Sequence, residues 1–318
     1  MNKKKLRRSL AVLSAAGLAV LSMGMLAGCD TKRPEITITY TFNGNDYEVD
    51  YTLSRDATPQ TVRHFIELAD AGYYNDKGFC IHDYDSSYLR TGAYTFDEEG
   101  ELKEYDYFAE VKRLEAEEGA AFTQSVYFTD LSNADKKGDA LYTVYGEMTG
   151  QYTYTGTRYS HVQGALVMYY PSKEAFTGTV TVERNDGGDN NNGEKYQANT
   201  PYDYNSATAM FYTFLGQSDG TADKDYCVFG MATKYEEQMT NGLLKAIADY
   251  QEAYSEDEEY SFTIEMKKKM NTLDHLAAAY SVDVRNFFES IRKADVEETY
   301  QTPVDMPIYL KSVKVNKY

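Results

Sequence analysis

The chain has no tryptophan, three cysteines and four histidines among 318 residues, and its 50 acidic residues outnumber the 32 basic ones. His64, His82, His161 and His275 are scattered without the spacing of metal ligands, so neither a metal nor a cofactor is predicted. A formal net charge of -18 argues against nucleic acid as a partner. The sequence also lacks a Gly-x-Ser-x-Gly elbow, a Walker loop, a Cys-x-x-Cys pair and a His-Glu-x-x-His motif. Their absence argues against a covalent or metal-dependent hydrolase.

The first 29 residues have the pattern of an export signal. Five basic residues precede an apolar run from Leu10 to Met25, which ends at Leu26-Ala27-Gly28-Cys29. A basic start followed by a short apolar run is typical of a signal peptide. Small residues before a cysteine resemble the bacterial lipobox, in which the cysteine sulfur receives diacylglycerol. We therefore expect residues 1–28 to be a removed lipoprotein signal peptide, with an uncleaved membrane anchor as the alternative.

This signal predicts an extracytoplasmic protein, anchored to the bacterial cell membrane as a lipoprotein through Cys29. The signal holds five of the 32 Lys and Arg residues, so its removal changes the formal net charge from -18 to -23. Such a negative net charge favours the solubility of the exported domain beside a membrane surface. Two cysteines then remain, Cys80 and Cys227, and the sequence leaves open whether they pair or are two buried thiols.

The start of the mature chain has clear local patterns. After a tether at 29–35, "ITITYTF" and "YEVDYTL" alternate in polarity around Asn43-Gly44-Asn45, which predicts a β-hairpin. Thr58 is a candidate N-cap and Pro59 a first helical residue. The apolar face that follows predicts a short amphipathic helix ending at Gly72.

The later segments alternate between strand and helix patterns. An acidic, helix-compatible stretch lies within residues 96–157, and a polar low-complexity loop is predicted at 185–200. A helical pattern runs from Tyr235 to about Lys293, with Ser281 as an internal cap. Strands are predicted in "HVQGALVMYY", "TAMFYTFL", "YCVFGMAT" and "MPIYLKSVKV". Strands at both ends of the chain predict an antiparallel sheet whose termini pair, as in a closed barrel.

The order of these segments resembles the cyclophilin family of peptidyl-prolyl cis-trans isomerases. The similar segments are "TPQTVRHFIELADAGYYN", "SHVQGALVMYY", "NSATAMFYTFL", "DKDYCVFGMAT" and "MPIYLKSVKV". The resemblance implies a mainly β fold with added helices: a closed eight-stranded antiparallel β-barrel capped by helices. Residues 36–318 would form this one domain, with large insertions at about 96–157, 183–202 and 250–300.

The resemblance also implies a chemistry. The family places an arginine two residues after a phenylalanine, and the matching stretch here is Phe79-Cys80-Ile81, so Ile81 replaces that arginine. The family's Gln-Gly-Gly is similar to Arg90-Thr91-Gly92 if one residue is inserted, which places Arg90 beside the lost position. Arg90 is therefore the candidate catalytic donor. The alternative is a solvated arginine that pairs with nearby acids.

Other positions that match the family's cleft are apolar or aromatic. The residues that would bind substrate are Tyr88, Met168, Met210, Tyr212 and Tyr226, and the alternative for each is ordinary barrel core. Thr221 lies near the family's usual tryptophan, and His161 is given a structural role.

Two functions follow from this reading. The first is a membrane-anchored isomerase of weakened activity that assists the folding of exported proteins. The alternative is a catalytically inactive cyclophilin-like lipoprotein that binds proline-containing peptides, a partner protein or a surface glycan. The 31 tyrosines of the chain suit the adaptable recognition that the alternative requires.

Overall fold

The structure is a computed structural model. It describes residues 33–129, 137–147, 159–170, 179–184, 196–201, 206–217, 226–254, 261–269, 278, 280 and 297–318. All elements given below belong to the unit Lys32–Lys317. The predicted signal peptide, Cys29, Thr221, His275 and Ser281 lie outside the described residues.

Eight strands form the main antiparallel sheet, and its first and last strands pair as the sequence predicts. In chain order they are β1 (Glu35–Phe42), β2 (Asn45–Leu53), β3 (Asp83–Tyr84), β4 (Tyr88–Thr91), β10 (Ala165–Met168), β14 (Phe211–Phe214), β15 (Cys227–Ala232) and β18 (Tyr309–Lys317). Their order across the sheet is β18-β1-β2-β15-β10-β14-β4-β3.

The expected closed barrel is corrected to a curled half-barrel. In the part of the chain that the structure describes, the edge strands β3 and β18 do not pair along their length. One isolated bridge, Cys80 with Tyr309, joins the segment before β3 to β18. Two backbone hydrogen bonds flank it, from the Ile81 N–H to the Ile308 carbonyl and from the Leu310 N–H to the Phe79 carbonyl, both 2.8 Å. Because β3 has only two residues, it is too short to extend this contact into a ladder.

The first hairpin and helix form where they were predicted. Asn43 and Gly44 have φ of 47° and 73°, the left-handed values of a two-residue turn between β1 and β2. Helix α1 (Pro59–Asp70) begins with its proline at the first position. Thr58 occupies the N-cap position as predicted, but its hydroxyl donates to the Ser54 carbonyl at 3.2 Å and makes no capping hydrogen bond to the helix.

Helix α1 covers the inner face of the curled sheet. The Phe65 ring lies 5.2 Å from the ring of Phe211 on β14 and 4.9 Å from that of Phe229 on β15. Tyr74, just after the helix, packs edge-on against Phe211 at 5.6 Å. All four side chains are fully buried, so the core lies between α1 and the sheet and leaves the outer face of the sheet for other contacts.

The insertions contain further strands and helices. Numbered along the chain, their strands are β5 (Tyr94–Phe96), β6 (Leu102–Glu104), β7 (Val126–Thr129), β8 (Lys137–Leu141), β9 (Val144–Tyr145), β11 (Thr179–Arg184), β12 (Tyr196–Pro201), β13 (Ser206–Ala207), β16 (Thr263–Lys269) and β17 (Glu297–Pro303). A second sheet has the order β12-β11-β7-β8, and two-stranded sheets pair β13 with β9, β5 with β6, and β16 with β17.

The observed helices confirm part of the helical pattern predicted from the sequence. The acidic stretch contains helix α2 (Tyr107–Glu118), whose N-cap Asp106 accepts from the Ala109 N–H at 3.0 Å. A π-helical segment (Tyr235–Leu244) continues as helix α3 (Lys245–Tyr254). None of the helices in the described ranges is long and apolar enough to cross a membrane.

Two predictions for the insertions are wrong over described residues. Residues 263–269 form strand β16, although the helical pattern was predicted to continue through them, because they pair with β17 along its whole length. Tyr196–Pro201 form strand β12, although residues 196–200 were placed at the end of a polar loop, because they pair with β11.

Candidate functional site

Strand register places the candidate residues on the outer face of the sheet. Arg90 on β4 is directly opposite Tyr212 on β14, and Tyr212 is opposite Val167 on β10. Directly paired residues point to the same side of a sheet, so these side chains form one row. Tyr88 joins them because it pairs with Phe214, two residues along from Tyr212.

A tight turn and a glycine hold Arg90 in position. The Asp85 carboxylate accepts from the N–H groups of Ser87 at 2.6 Å and Tyr88 at 2.8 Å, which closes the turn between β3 and β4. Gly92 then ends β4 with a φ of 93°. A Cβ at this position would lie 2.5 Å from the Ala209 carbonyl oxygen, so only glycine lets β4 approach the segment before β14.

The Arg90 guanidinium is held by one carboxylate and four aromatic rings. Its Nη1 lies 3.5 Å from Oδ2 of Asp83, and the Arg90 side chain is only 14% exposed. We call the four rings the tyrosine cage; their centroids lie 4.9 to 5.9 Å from the guanidinium carbon, and they belong to Tyr88, Tyr169, Tyr212 and Tyr300. Such contacts stabilise a buried cation. Arg90 does pair with an acid, as the alternative proposed, but it is not solvated.

Burial determines the protonation states at the cage. Burial lowers the pKa of Arg90, but Asp83 and the neighbouring Tyr169 outweigh this effect, so the net shift is upward and the guanidinium stays charged. Burial raises the pKa of Asp83, and Arg90 opposes that rise. Burial also raises the pKa of Tyr212 well above its usual value, so its hydroxyl stays protonated. The site therefore offers a fixed cation and neutral hydroxyl groups.

A second aromatic group adjoins the cage. The His161 ring stacks between Tyr226, at 3.8 Å between centroids, and Phe214, at 3.9 Å. The Tyr212 hydroxyl lies 3.2 Å from Nε2 of His161, which connects this His161 stack to the tyrosine cage. His161 is thus buried in a packing and hydrogen-bonding position, and Tyr226 is half-buried at its edge.

The structure brings four of the six predicted site residues together. Arg90, Tyr88, Tyr212 and Tyr226 lie on the outer face, whereas Met168 does not. Met168 pairs with Phe211, whose side chain is in the core beneath α1, so Met168 faces inward and its predicted place in the cleft is corrected. The one-residue offset from Val167 is the reason, because strand side chains alternate between the two faces.

Met210 lies on the outer face but beneath other side chains. It belongs to a buried cluster with Tyr94, Met266 and Tyr300, and it is 4% exposed. Met266 and Tyr300 come from β16 and β17, so this two-stranded sheet, which we call the strap, covers the part of the surface that Met210 was expected to line.

Sequence reasoning missed several residues of this site. Asp83 had a usable signal, because a turn at Asp85 places it opposite Arg90 on the neighbouring strand. Tyr169 lies within the predicted strand "HVQGALVMYY", and in the structure it directly follows β10. Tyr300 had no local signal, since it is more than 200 residues from Arg90 along the chain and reaches it through the strap.

Two further observations concern metal-binding groups and cysteines among the described residues. No group of three or more His, Cys, Asp or Glu side chains within the described ranges is arranged to hold a metal ion. Cys80 and Cys227 are both free and buried, which resolves the question that the sequence left open. Cys227 Sγ lies 3.4 Å from the Thr61 hydroxyl.

Comparisons with known proteins give distant likenesses. No protein-family model matches the chain, and no curated protein matches it. A Cryptosporidium parvum cyclophilin type peptidyl-prolyl cis-trans isomerase is similar with 12% identity and a TM-score of 0.36, over 90% of this chain and 99% of that one. The same enzyme crystallised in the presence of the dipeptide Ala-Pro has 13% identity and a TM-score of 0.35, over 89% and 99%. The Mimivirus cyclophilin has 14% identity and a TM-score of 0.32, over 73% and 84%.

Proposed function

We propose that this protein binds proline-containing peptides on the face that carries Arg90 and acts there as a weak cyclophilin-type peptidyl-prolyl cis-trans isomerase. The observation that supports the proposal is the fixed Arg90 guanidinium, which shares one face with the aromatic side chains of Tyr88 and Tyr212. The resemblance of five ordered sequence segments to that family supports the same reaction.

The chemistry requires a donor and an apolar surface, and no covalent step. Rotation about a peptide bond has a barrier of about 18–20 kcal/mol. As the bond twists, the lone pair of the prolyl nitrogen becomes available, and a fixed N–H donor that reaches it stabilises the twisted state more than the planar one. In this proposal Arg90 is that donor, and the rings of Tyr88 and Tyr212 contact the proline.

Weak turnover follows from the contacts that Arg90 already makes. Asp83 neutralises part of its charge, and the tyrosine cage leaves little of the guanidinium exposed. A peptide has to compete with these groups. We therefore expect a small acceleration, visible only at high protein concentration.

A protease-coupled assay with an Ala-Ala-Pro-Phe tetrapeptide tests the proposal. The full chain should speed cis-to-trans conversion, and Arg90→Ala should lose at least about tenfold of that acceleration, because one charged donor is removed. Arg113→Ala is the matched control, since that arginine lies on α2 and pairs with Glu110, Glu117 and Glu118. A wild-type rate equal to the uncatalysed one, without peptide binding, would contradict the proposal.

A second candidate function is peptide binding without turnover. Ile81 at the position of the family's arginine favours it, and so does the low exposure of Arg90. Fluorescence anisotropy with the same tetrapeptide separates the two functions. Binding that Arg90→Ala weakens, with no acceleration in the coupled assay, identifies the second candidate.

We also propose that residues 1–28 are removed as a lipoprotein signal peptide, and that Cys29 carries diacylglycerol and anchors the domain of residues 36–318 outside the cytoplasm. The basic start, the apolar run and Leu26-Ala27-Gly28-Cys29 support this location. Metabolic labelling with an alkyne fatty acid in a bacterial host should label the wild type in the membrane fraction and leave Cys29→Ser unlabelled. Equal labelling of both chains would contradict lipidation at Cys29.

A further inference from the structure

The strap covers Arg90 with one face of an extended strand. Side chains of β17 alternate, so Glu298, Tyr300 and Thr302 point to the same side. Tyr300 is 1% exposed and Thr302 is fully buried, whereas Thr299, between Glu298 and Tyr300, is exposed. The side of β17 that carries Tyr300 and Thr302 therefore lies against the main sheet, whereas Thr299 on the other side faces solvent.

Tyr300 occupies the space beside the Arg90 guanidinium. Its ring centroid lies 5.9 Å from the guanidinium carbon. The same ring packs edge-on against His82 at 4.8 Å and against Tyr94 at 5.6 Å. One aromatic side chain of the strap thus contacts the cation and the two rings next to it.

Hydrogen bonds attach β17 to the outer face of the sheet around Arg90, in the way that they would attach an extended peptide. The Gln301 N–H donates to Oδ1 of Asp83 at 3.1 Å, and the Thr302 hydroxyl donates to the His82 carbonyl at 2.7 Å. The Tyr169 hydroxyl donates to the Glu298 carboxylate. Backbone and side-chain groups of β17 therefore engage the carboxylate that pairs with Arg90 and a ring of the tyrosine cage.

The closed strap is not a fully satisfied interface. Nε of Arg90 is buried without a hydrogen-bond partner among the described residues. Buried donors without partners disfavour the state that contains them. In the described part of the chain β16 and β17 form ladders only with each other, and an isolated pair of strands has little stability of its own. These features allow the strap to leave the surface.

We propose that the strap occupies the peptide-binding face around Arg90, with Glu298, Tyr300 and Thr302 in the place of an extended peptide. A peptide then binds to this face only after the strap is displaced. The inference rests on the proposed function, because it concerns access to the same site. The apparent affinity of such a site is reduced by the fraction of molecules in which the strap is open.

Binding of the Ala-Ala-Pro-Phe tetrapeptide, measured by fluorescence anisotropy on the full chain, tests the inference. Thr302→Val removes the hydroxyl that donates to His82, and Tyr300→Leu removes the ring beside Arg90. Each should open the strap more often and lower the apparent Kd by about tenfold. The controls are Thr299→Ala and Ile264→Ser, at exposed positions of the strap, which should stay within about twofold of wild type.

Hydrogen exchange on the wild type gives a second measurement that does not depend on any variant folding. Saturating peptide should speed exchange at the amides of residues 297–303 and slow it at β4 and β14. Tighter binding by the strap variants, or faster exchange in β17, supports the inference. Equal peptide affinity in all variants, with hydrogen exchange in β17 unchanged, contradicts the inference about the strap but not the proposed function. Absence of binding in wild type and every variant overturns both.

Discussion

Asp83 lies directly opposite Arg90 in the pairing of β3 with β4, and their side chains form an ion pair at 3.5 Å. Both side chains are largely buried, at 11% and 14% exposure, so solvent screens the pair only weakly. The same carboxylate accepts the Gln301 N–H of the strap. Asp83 therefore connects the candidate donor to the segment that covers it.

The first prediction concerns this ion pair. Arg90→Ala should lower the free energy of unfolding by about 3 kcal/mol, because it leaves the Asp83 charge buried without its cation. Asp83→Asn in the same chain should recover part of that loss, since an amide carries no charge and its oxygen still accepts from Gln301. Urea unfolding of the single and double variants measures both effects. Equal losses in Arg90→Ala and the double variant would contradict this account.

The second prediction concerns the approach of β4 to the segment before β14. Gly92→Ala should destabilise the protein by about 3 kcal/mol or more, because the new Cβ would lie 2.5 Å from the Ala209 carbonyl oxygen. Gly100→Ala is the matched control: its φ is also positive, at 81°, but nothing lies within 4 Å of the new Cβ. Its cost should be about 1 kcal/mol, from the backbone conformation alone. Thermal unfolding of the two variants tests the difference, and similar losses would show that the contact with Ala209 is not critical.

The third prediction concerns pH. Glu147 accepts from the N–H groups of Gln60 at 3.1 Å and Thr61 at 2.8 Å, at the start of α1. Burial raises the pKa of Glu147 from 4.5 to about 7, against the effect of these hydrogen bonds. Between pH 4.5 and about 7, the folded state therefore keeps a proton on Glu147 that the unfolded state has lost. The stabilisation is complete below pH 4.5 and is lost as the pH rises through 7.

Glu147→Gln removes that titration. The difference in unfolding free energy between wild type and variant should fall as the pH rises from 4.5 to above 7, by at most about 3 kcal/mol. Urea unfolding in matched buffers across this range measures it. Parallel pH profiles for the two proteins would show that the carboxyl group does not titrate in this window.

The fourth prediction concerns the two buried thiols. Burial raises the pKa of both Cys80 and Cys227 to about 12, and neither is paired. In a Cys29→Ser chain neither thiol should react with a thiol-exchange reagent until the protein unfolds, because the reagent needs an accessible thiolate. Thr299→Cys, at an exposed strap position, should react at once and serves as the control. Rapid labelling of two thiols in the folded chain would contradict the burial of these cysteines.

Local patterns in the sequence were enough for several elements. Asn43-Gly44 predicts the first hairpin because only a few residue types adopt two consecutive positive φ values. Pro59 and the apolar face after it predict α1, since both signals lie within a few residues of each other. Pairing of the first and last strands was also predicted, because apolar strands at both ends of the chain need partners.

Faces and partners were harder to predict. Met168 and Tyr212 were both assigned to the cleft, but strand alternation places Met168 on the inner face, and a one-residue error in phase reverses a side chain. The residues of β16 were predicted helical, yet they pair with β17, which begins almost 30 residues after β16 ends. Long-range pairing overrides local helical preference there.

By itself, the sequence determined the β-rich character, the hairpin and the first helix, because each depends on neighbouring residues, and the family resemblance suggested Arg90 as the candidate donor. Tertiary structure alone decided that the described strands form an open sheet, that Tyr169 and Tyr212 lie beside Arg90, and that Tyr300 covers it. The physical reason is distance along the chain: these contacts join segments whose mutual positions are set by packing and strand register, which no local pattern encodes.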